Sequence, residues 1–159
     1  MPGLRSRLYR LDVLTPPSPL APGAPRVAGA ADRELLISWM TAFQREIGER
    51  IRDVADSVDE MVAYGGLTLW EVEGVPVSMA GGTRPEAGMV RILAVYTPAE
   101  LRGRGYAGAV TTVVSRAALD AGTVDVVLFT DLANATSNGL YQRLGYRPVE
   151  DRAIVEFRS

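Results

Sequence analysis

MVRILAVYTPAELRGRGYAGAVTTVVSRAALDAG, from Met89 to Gly122, decides the fold. Its first eight residues read as a strand ending at Tyr96, and a loop opens at Thr97. A glycine-rich turn, Arg102-Gly103-Arg104-Gly105-Tyr106-Ala107-Gly108, leads into a helix that Gly122 closes. Strand, loop and helix in that order make an anion site. The first N–H groups of a helix have no intrahelical partner and sit at the positive end of its dipole. Gly103 and Gly105 leave the backbone bare where a ligand must touch it. Arg102 and Arg104 add donors matched to phosphate oxygens.

The same letters fit the dinucleotide fingerprint, as Gly103-x-Gly105-x-x-Gly108, with Asp131 after the next strand where a ribose-binding acid can sit. That turn places its first glycine directly off the strand. Here Pro98, Ala99, Glu100, Leu101 and Arg102 intervene, and too few strand–helix units follow for a doubly wound sheet. A dinucleotide-binding module therefore stays only as an alternative.

Outward from this stretch, composition narrows the chemistry. A chain of 159 residues, 47% hydrophobic and 23% charged, suits a single globular domain with its own core. It has no apolar run of membrane-spanning length and no secretion signal at its start, so a cytoplasmic protein without a membrane partner is expected. A net charge of −2 argues against nucleic acid as a partner. With no Cys and no His, a thiol nucleophile, a Ser-His relay, an imidazole base and the usual zinc sites are excluded. The chemistry must run on Tyr, carboxylates, backbone dipoles and water, without a metal.

Taken in order, residues 4–14 alternate Tyr9, Leu11 and Val13 against Arg10 and Asp12, a strand pattern. Pro16, Pro17, Pro19, Pro22 and Pro25 follow, so the expectation is a strand tethered to the body by a stiff linker and not nested in it. On this reading residues 1–24 are an extra strand plus linker and 25–159 the domain. A short strand near Pro25–Ala28 opens the domain. Asp32 can cap a helix carrying Leu35, Leu36, Trp39, Phe43 and Ile47, whose aromatics fit core packing. Asp53 can cap a second, carrying Val54, Val58, Met61 and Val62 as far as Gly65-Gly66. Strands over 67–72 and 75–83 turn at Glu73-Gly74. The apolar run Val124–Phe129 is a buried strand, a helix runs through Tyr141 to Gly145, and 146–150 with 153–157 predicts a closing hairpin.

Arg102-x-x-Gly105-x-Ala107, together with Asn134, Tyr141 seven residues later and Gly145-Tyr146, resembles the GCN5-related N-acetyltransferase (GNAT) superfamily over about residues 25–157. The runs Val95-Tyr96-Thr97-Pro98 and Thr130-Asp131-Leu132-Ala133-Asn134 resemble a bacterial branch of predicted acetyltransferases, often with a divergent GNAT-like half ahead of this one. In such a protein the strand over 4–14 would end a first half, and Met1 would be an internal or alternative start.

The resemblance implies a mixed α/β fold: a mainly antiparallel sheet of six to seven strands with a central splayed parallel pair, flanked by about four helices. It also implies acetyl-CoA as acyl donor and a primary amine, on a small molecule or a peptide, as acceptor. Val95, Tyr96 and Thr97 would pair with the pantetheine arm, and Arg102, Gly103, Arg104, Gly105, Tyr106, Ala107 and Gly108 would hold the pyrophosphate. Asn134 and Ser137 would contact the donor, and Tyr141 would protonate the leaving thiolate. Where some relatives carry a catalytic Glu this chain has Phe129, so Glu46, Glu49, Glu71 and Asp131 remain candidates for the base. A non-catalytic CoA-binding half is a further alternative, and a homodimer through the N-terminal strand is expected.

Overall fold

Short apolar segments broken by glycine turns give this chain its strands, and α-helices pack against them. The computed structural model describes residues 5–48 and 53–153. Its strands are β1 (Arg5–Leu11), β2 (Ala24–Val27), β3 (Leu67–Val72), β4 (Val75–Gly82), β5 (Met89–Tyr96), β6 (Asp125–Asp131) and β7 (Tyr146–Ala153). The α-helices are α1 (Arg33–Glu46), α2 (Val54–Ala63), α3 (Tyr106–Asp120) and α4 (Ala135–Leu144). One sheet takes the order β2-β3-β4-β5-β6-β1-β7, antiparallel throughout except for β5 with β6. One parallel pair in a seven-stranded sheet is the mixed α/β fold expected, and it removes the doubly wound dinucleotide reading.

The β3–β4 hairpin turns at Glu73 and Gly74, both at positive φ, a two-residue turn whose twist matches its strands. On one face, α1 and α2 bury Leu36, Met40, Val58 and Met61 against Leu67, Leu69, Met79 and Ala94. On the other, α3 and α4 cover Trp70, Val77, Ile92, Val126 and Leu128. Each face thus has its own apolar cluster, and β3 to β5 are covered on both.

Two expectations are corrected at the ends of the chain. The first strand is not tethered outside the body: β1 is nested between β6 and β7, antiparallel to both, and Tyr9 is fully buried. An interior position satisfies both edges of the strand and buries its tyrosine, which an outlying strand cannot do. The prolines then carry the chain back across the molecule. Asp12 and Thr15 donate backbone N–H groups to Gly145 and Leu144, and Trp70 Nε1 donates to the Pro22 carbonyl at 2.9 Å.

The second correction concerns the closing hairpin expected from 146–150 and 153–157. Instead β7 runs unbroken along β1, with Leu8 opposite Glu150 and Arg7 opposite Asp151, and Arg7 Nε meets Asp151 Oδ1 at 2.7 Å. A bulge beside Tyr9 accommodates Pro148, which has no N–H for the ladder. The rest of the expected second strand, 154–157, lies outside the described residues.

Candidate active site

The parallel pair does not stay paired. β5 meets β6 only from Met89 to Arg91, opposite Asp125 to Val127, and the strands then part. The cause is local to β5, where Ala94 adopts φ +54. Between Leu93 and Tyr96 three steps along β5 face only two along β4, from Gly81 to Met79. This bulge bends β5 away from β6 and opens a cleft at its C-terminal end. A Cβ at Gly81 would lie 3.3 Å from the Leu93 carbonyl, so glycine leaves β4 bare where β5 bulges. A left-handed alanine costs on the order of 1–3 kcal/mol, the kind of strain that persists at functional sites.

At the mouth of the cleft the loop after β5 rises into α3. Gly103 and Gly105 sit at φ +80 and +85, and no side chain caps the helix. No described hydrogen bond engages the N–H groups of Gly103 to Gly108. Unpartnered amides at a helix N-terminus, with bare glycines in front, fit an anionic group such as a pyrophosphate. Gly108 plays a different part: its absent Cβ would lie 3.2 Å from Leu140 Cδ1 and 3.3 Å from Pro17 Cγ, so it admits the proline segment and α4.

The two loop arginines divide. Arg104 is exposed, as a phosphate donor needs. Arg102 is engaged: Nε donates to the Thr97 carbonyl at 2.8 Å, and Nη2 reaches both oxygens of Glu46 at 2.6 and 2.7 Å. The end of β5 is held from below as well. Ser78, fully buried, donates to the Tyr96 carbonyl at 3.0 Å and pairs with Thr97 Oγ1 at 2.8 Å. Val95 packs toward the α3 face, while Tyr96 faces α1, where its ring stands 6.0 Å from that of Trp39. Trp39 therefore lies beside the end of β5 and is only partly buried.

Across the cleft stands α4. Asn134 is its N-cap, with Oδ1 accepting from Ser137 N at 3.0 Å, so both residues are occupied in holding the first turn. Tyr141 is buried, and desolvation pushes its phenol well above the usual value of 10.0, which keeps it protonated. Its ring meets Tyr146 edge-on at 6.1 Å, and the Tyr146 hydroxyl, pushed up to about 12 by burial, bonds Ser115 Oγ at 2.6 Å.

The base candidates fare unequally. Glu46 has both oxygens on Arg102, Glu71 is paired with Arg26 at 3.0 Å, and Asp131 accepts from Ala133 N at 2.8 Å. Glu49 lies outside the described residues. Sequence reasoning gave no role to Ser78 or Asn138 and read Tyr9 only as a strand residue, because the partners of all three come from other elements of the fold. No group of three or more His, Cys, Asp or Glu among the described residues could hold a metal. No helix among them is long and apolar enough to cross a membrane.

Solved structures share this architecture. A GCN5-related N-acetyltransferase from Sphaerobacter thermophilus is 20% identical, with a TM-score of 0.76 over 96% of this chain and 51% of that one. One from Kribbella flavida is 24% identical, with a TM-score of 0.67 over 91% of this chain and 54% of that one. The chain spans about half the length of both. A predicted acetyltransferase from Clostridium acetobutylicum, solved with acetyl-CoA, is 17% identical, with a TM-score of 0.63 over 85% of this chain and 95% of that one. No curated protein matches the chain. The family model of FR47-like proteins matches residues 72–155, from the end of β3 through the bulged strand, the glycine loop and α4 into β7, and by that match the chain belongs to the FR47-like family of GNAT-type proteins.

Proposed function

We propose that the protein transfers an acetyl group from acetyl-CoA to a primary amine by direct attack. The observation that carries this reading is the cleft opened by the Ala94 bulge, with unpartnered α3 amides at its mouth and, on the helix that follows β6, a tyrosine kept protonated by burial. Acetyl-CoA is the donor substrate. The amides of Gly103 to Gly108, with Arg104, receive its pyrophosphate, and the free edge of β5 at Val95 to Thr97 pairs with the amide-bearing arm. The amine nitrogen adds to the thioester carbonyl, and a β5 N–H stabilises the oxyanion. Collapse breaks the C–S bond. Tyr141 gives its proton to the departing sulfur, and the nitrogen loses its own to water or to a carboxylate of this chain.

The chain spans about half the length of two similar structures, which favours a second reading, a CoA-binding half that does no chemistry. One experiment separates the two. Acetyl-CoA is incubated with a panel of primary amines, from polyamines to amino acids and peptides with free N-termini, and released thiol is followed. Amine-dependent thiol release supports transfer. CoA binding by calorimetry with no release from any acceptor, water included, supports the binding module.

A further inference from the structure

Asn138 lies on α4 one turn before Tyr141, and every polar atom of its side chain is engaged. Nδ2 donates to the carbonyls of Asp131 at 2.9 Å and Asn134 at 2.7 Å. Oδ1 accepts from Thr130 Oγ1 at 2.7 Å and from the Tyr9 hydroxyl at 2.6 Å. The two carbonyls can only accept, so the orientation of the amide is fixed by its partners. Gln142 Nε2 closes the circuit on the Tyr9 oxygen at 3.3 Å. Tyr9, Thr130 and Asn138 are all buried, where losing one partner is costly.

The network joins the strand that borders the cleft to α4 and to β1 behind it. Thr130 and Asp131 end β6, the strand from which β5 splays. Asn134 and Asn138 are the cap and first turn of α4, and Tyr9 comes from β1, opposite Leu128 in register. Residues three apart share a helix face, so anchoring Asn138 to β6 and β1 fixes the rotation of α4 from which Tyr141 projects.

We propose that Tyr9, acting through Asn138, is a positioning residue for Tyr141, so that the N-terminal strand helps to set the geometry of the proton donor. This rests on the transfer reading above. General acids need placement within a fraction of an ångström, and a helix free to turn by a few degrees loses it.

A double-mutant cycle of Tyr9→Phe and Tyr141→Phe on this chain tests it, reading kcat and KM for acetyl-CoA with the amine the panel selects, or with water if no amine reacts. Tyr9→Phe is expected to lower kcat about 10-fold with KM within about 3-fold, and in the Tyr141→Phe background to lower it less than about 2-fold. A merely structural hydroxyl lowers the melting temperature and leaves kcat unchanged, or lowers it by the same factor in both backgrounds; either result overturns the proposal. If Tyr141→Phe alone retains full kcat, the proton-donor role falls and the positioning role with it, while amine-dependent thiol release would still stand. If Tyr9→Phe does not fold, Thr130→Val removes the other donor to Asn138 and is read in the same cycle.

Discussion

Arg102 and Glu46, 56 positions apart, form a two-oxygen ion pair while the same guanidinium holds the Thr97 carbonyl. The glycine loop is thereby fastened to the end of α1, on the opposite face of the sheet from α3. Both side chains are nearly half exposed, so the pair alone contributes little stability. Its effect is on loop position. Arg102→Ala is expected to weaken CoA binding about 10-fold, because the loop carbonyl loses its anchor, whereas Glu46→Ala should leave affinity within about 3-fold, because the Thr97 contact remains. Calorimetric titration of both variants checks this, and equal losses would mean that the ion pair, not the Thr97 contact, sets the loop.

Gly105 precedes α3 at φ +85, a region closed to β-branched residues. Gly105→Val should abolish measurable CoA binding, both by twisting the first amides away and by placing two methyls before them. The folded state should survive with a loss on the order of 1–3 kcal/mol from backbone strain. Near-native CoA affinity in a folded variant would remove this turn from the donor site.

Tyr141→Phe keeps the ring against Tyr146 and removes the proton. Acetyl-CoA affinity should stay within a few fold while kcat falls by roughly 100-fold, the scale of one general acid. A thiolate leaves tolerably unaided, so a smaller loss is consistent. The pH profile gives an independent reading. Burial raises the phenol above 10.0, so the proton is present at all lower pH and is lost only above that value. Hence kcat should show no alkaline decline from Tyr141 below about pH 10, and a decline with an apparent pKa between about 7 and 9 that vanishes in Tyr141→Phe would contradict the raised value. Stability follows the same sign. The unfolded chain ionises first, so the contribution is complete below pH 10 and shrinks as pH rises beyond it, measurable as a falling urea midpoint.

Removal of residues 1–20 takes β1 from between β6 and β7, unpairing both and emptying the site of Tyr9. Cooperative unfolding should be lost, a larger effect than the change in association expected of an outlying strand. A truncated chain with a native melting transition would show that β1 is dispensable. A homodimer through this strand, which we propose as the route to association if dimers form, requires β1 to leave its own sheet for that of a second copy. Light scattering on the intact chain detects it.

The glycine loop, the strand before it, the β3–β4 hairpin and the four helices were legible in the sequence, because each depends on contacts within a few residues: hydrophobic period and glycine turns, whereas Asp32 and Asp53 make no side-chain cap at α1 and α2. The family resemblance was legible for the same reason, since its motifs sit on consecutive elements. What the sequence could not give depends on distant partners. The alternation around Tyr9 marked a strand but not its neighbours, and the prolines that suggested a tether carry the chain from β1 across α3 to β2. The pairing of Arg102 with Glu46, the bulge at Ala94 and the circuit from Tyr9 to Asn138 join residues tens of positions apart, or depend on register. Register is set when whole faces are buried together, so the local sequence fixes the elements, and only the packed sheet decides which side chains meet at the cleft.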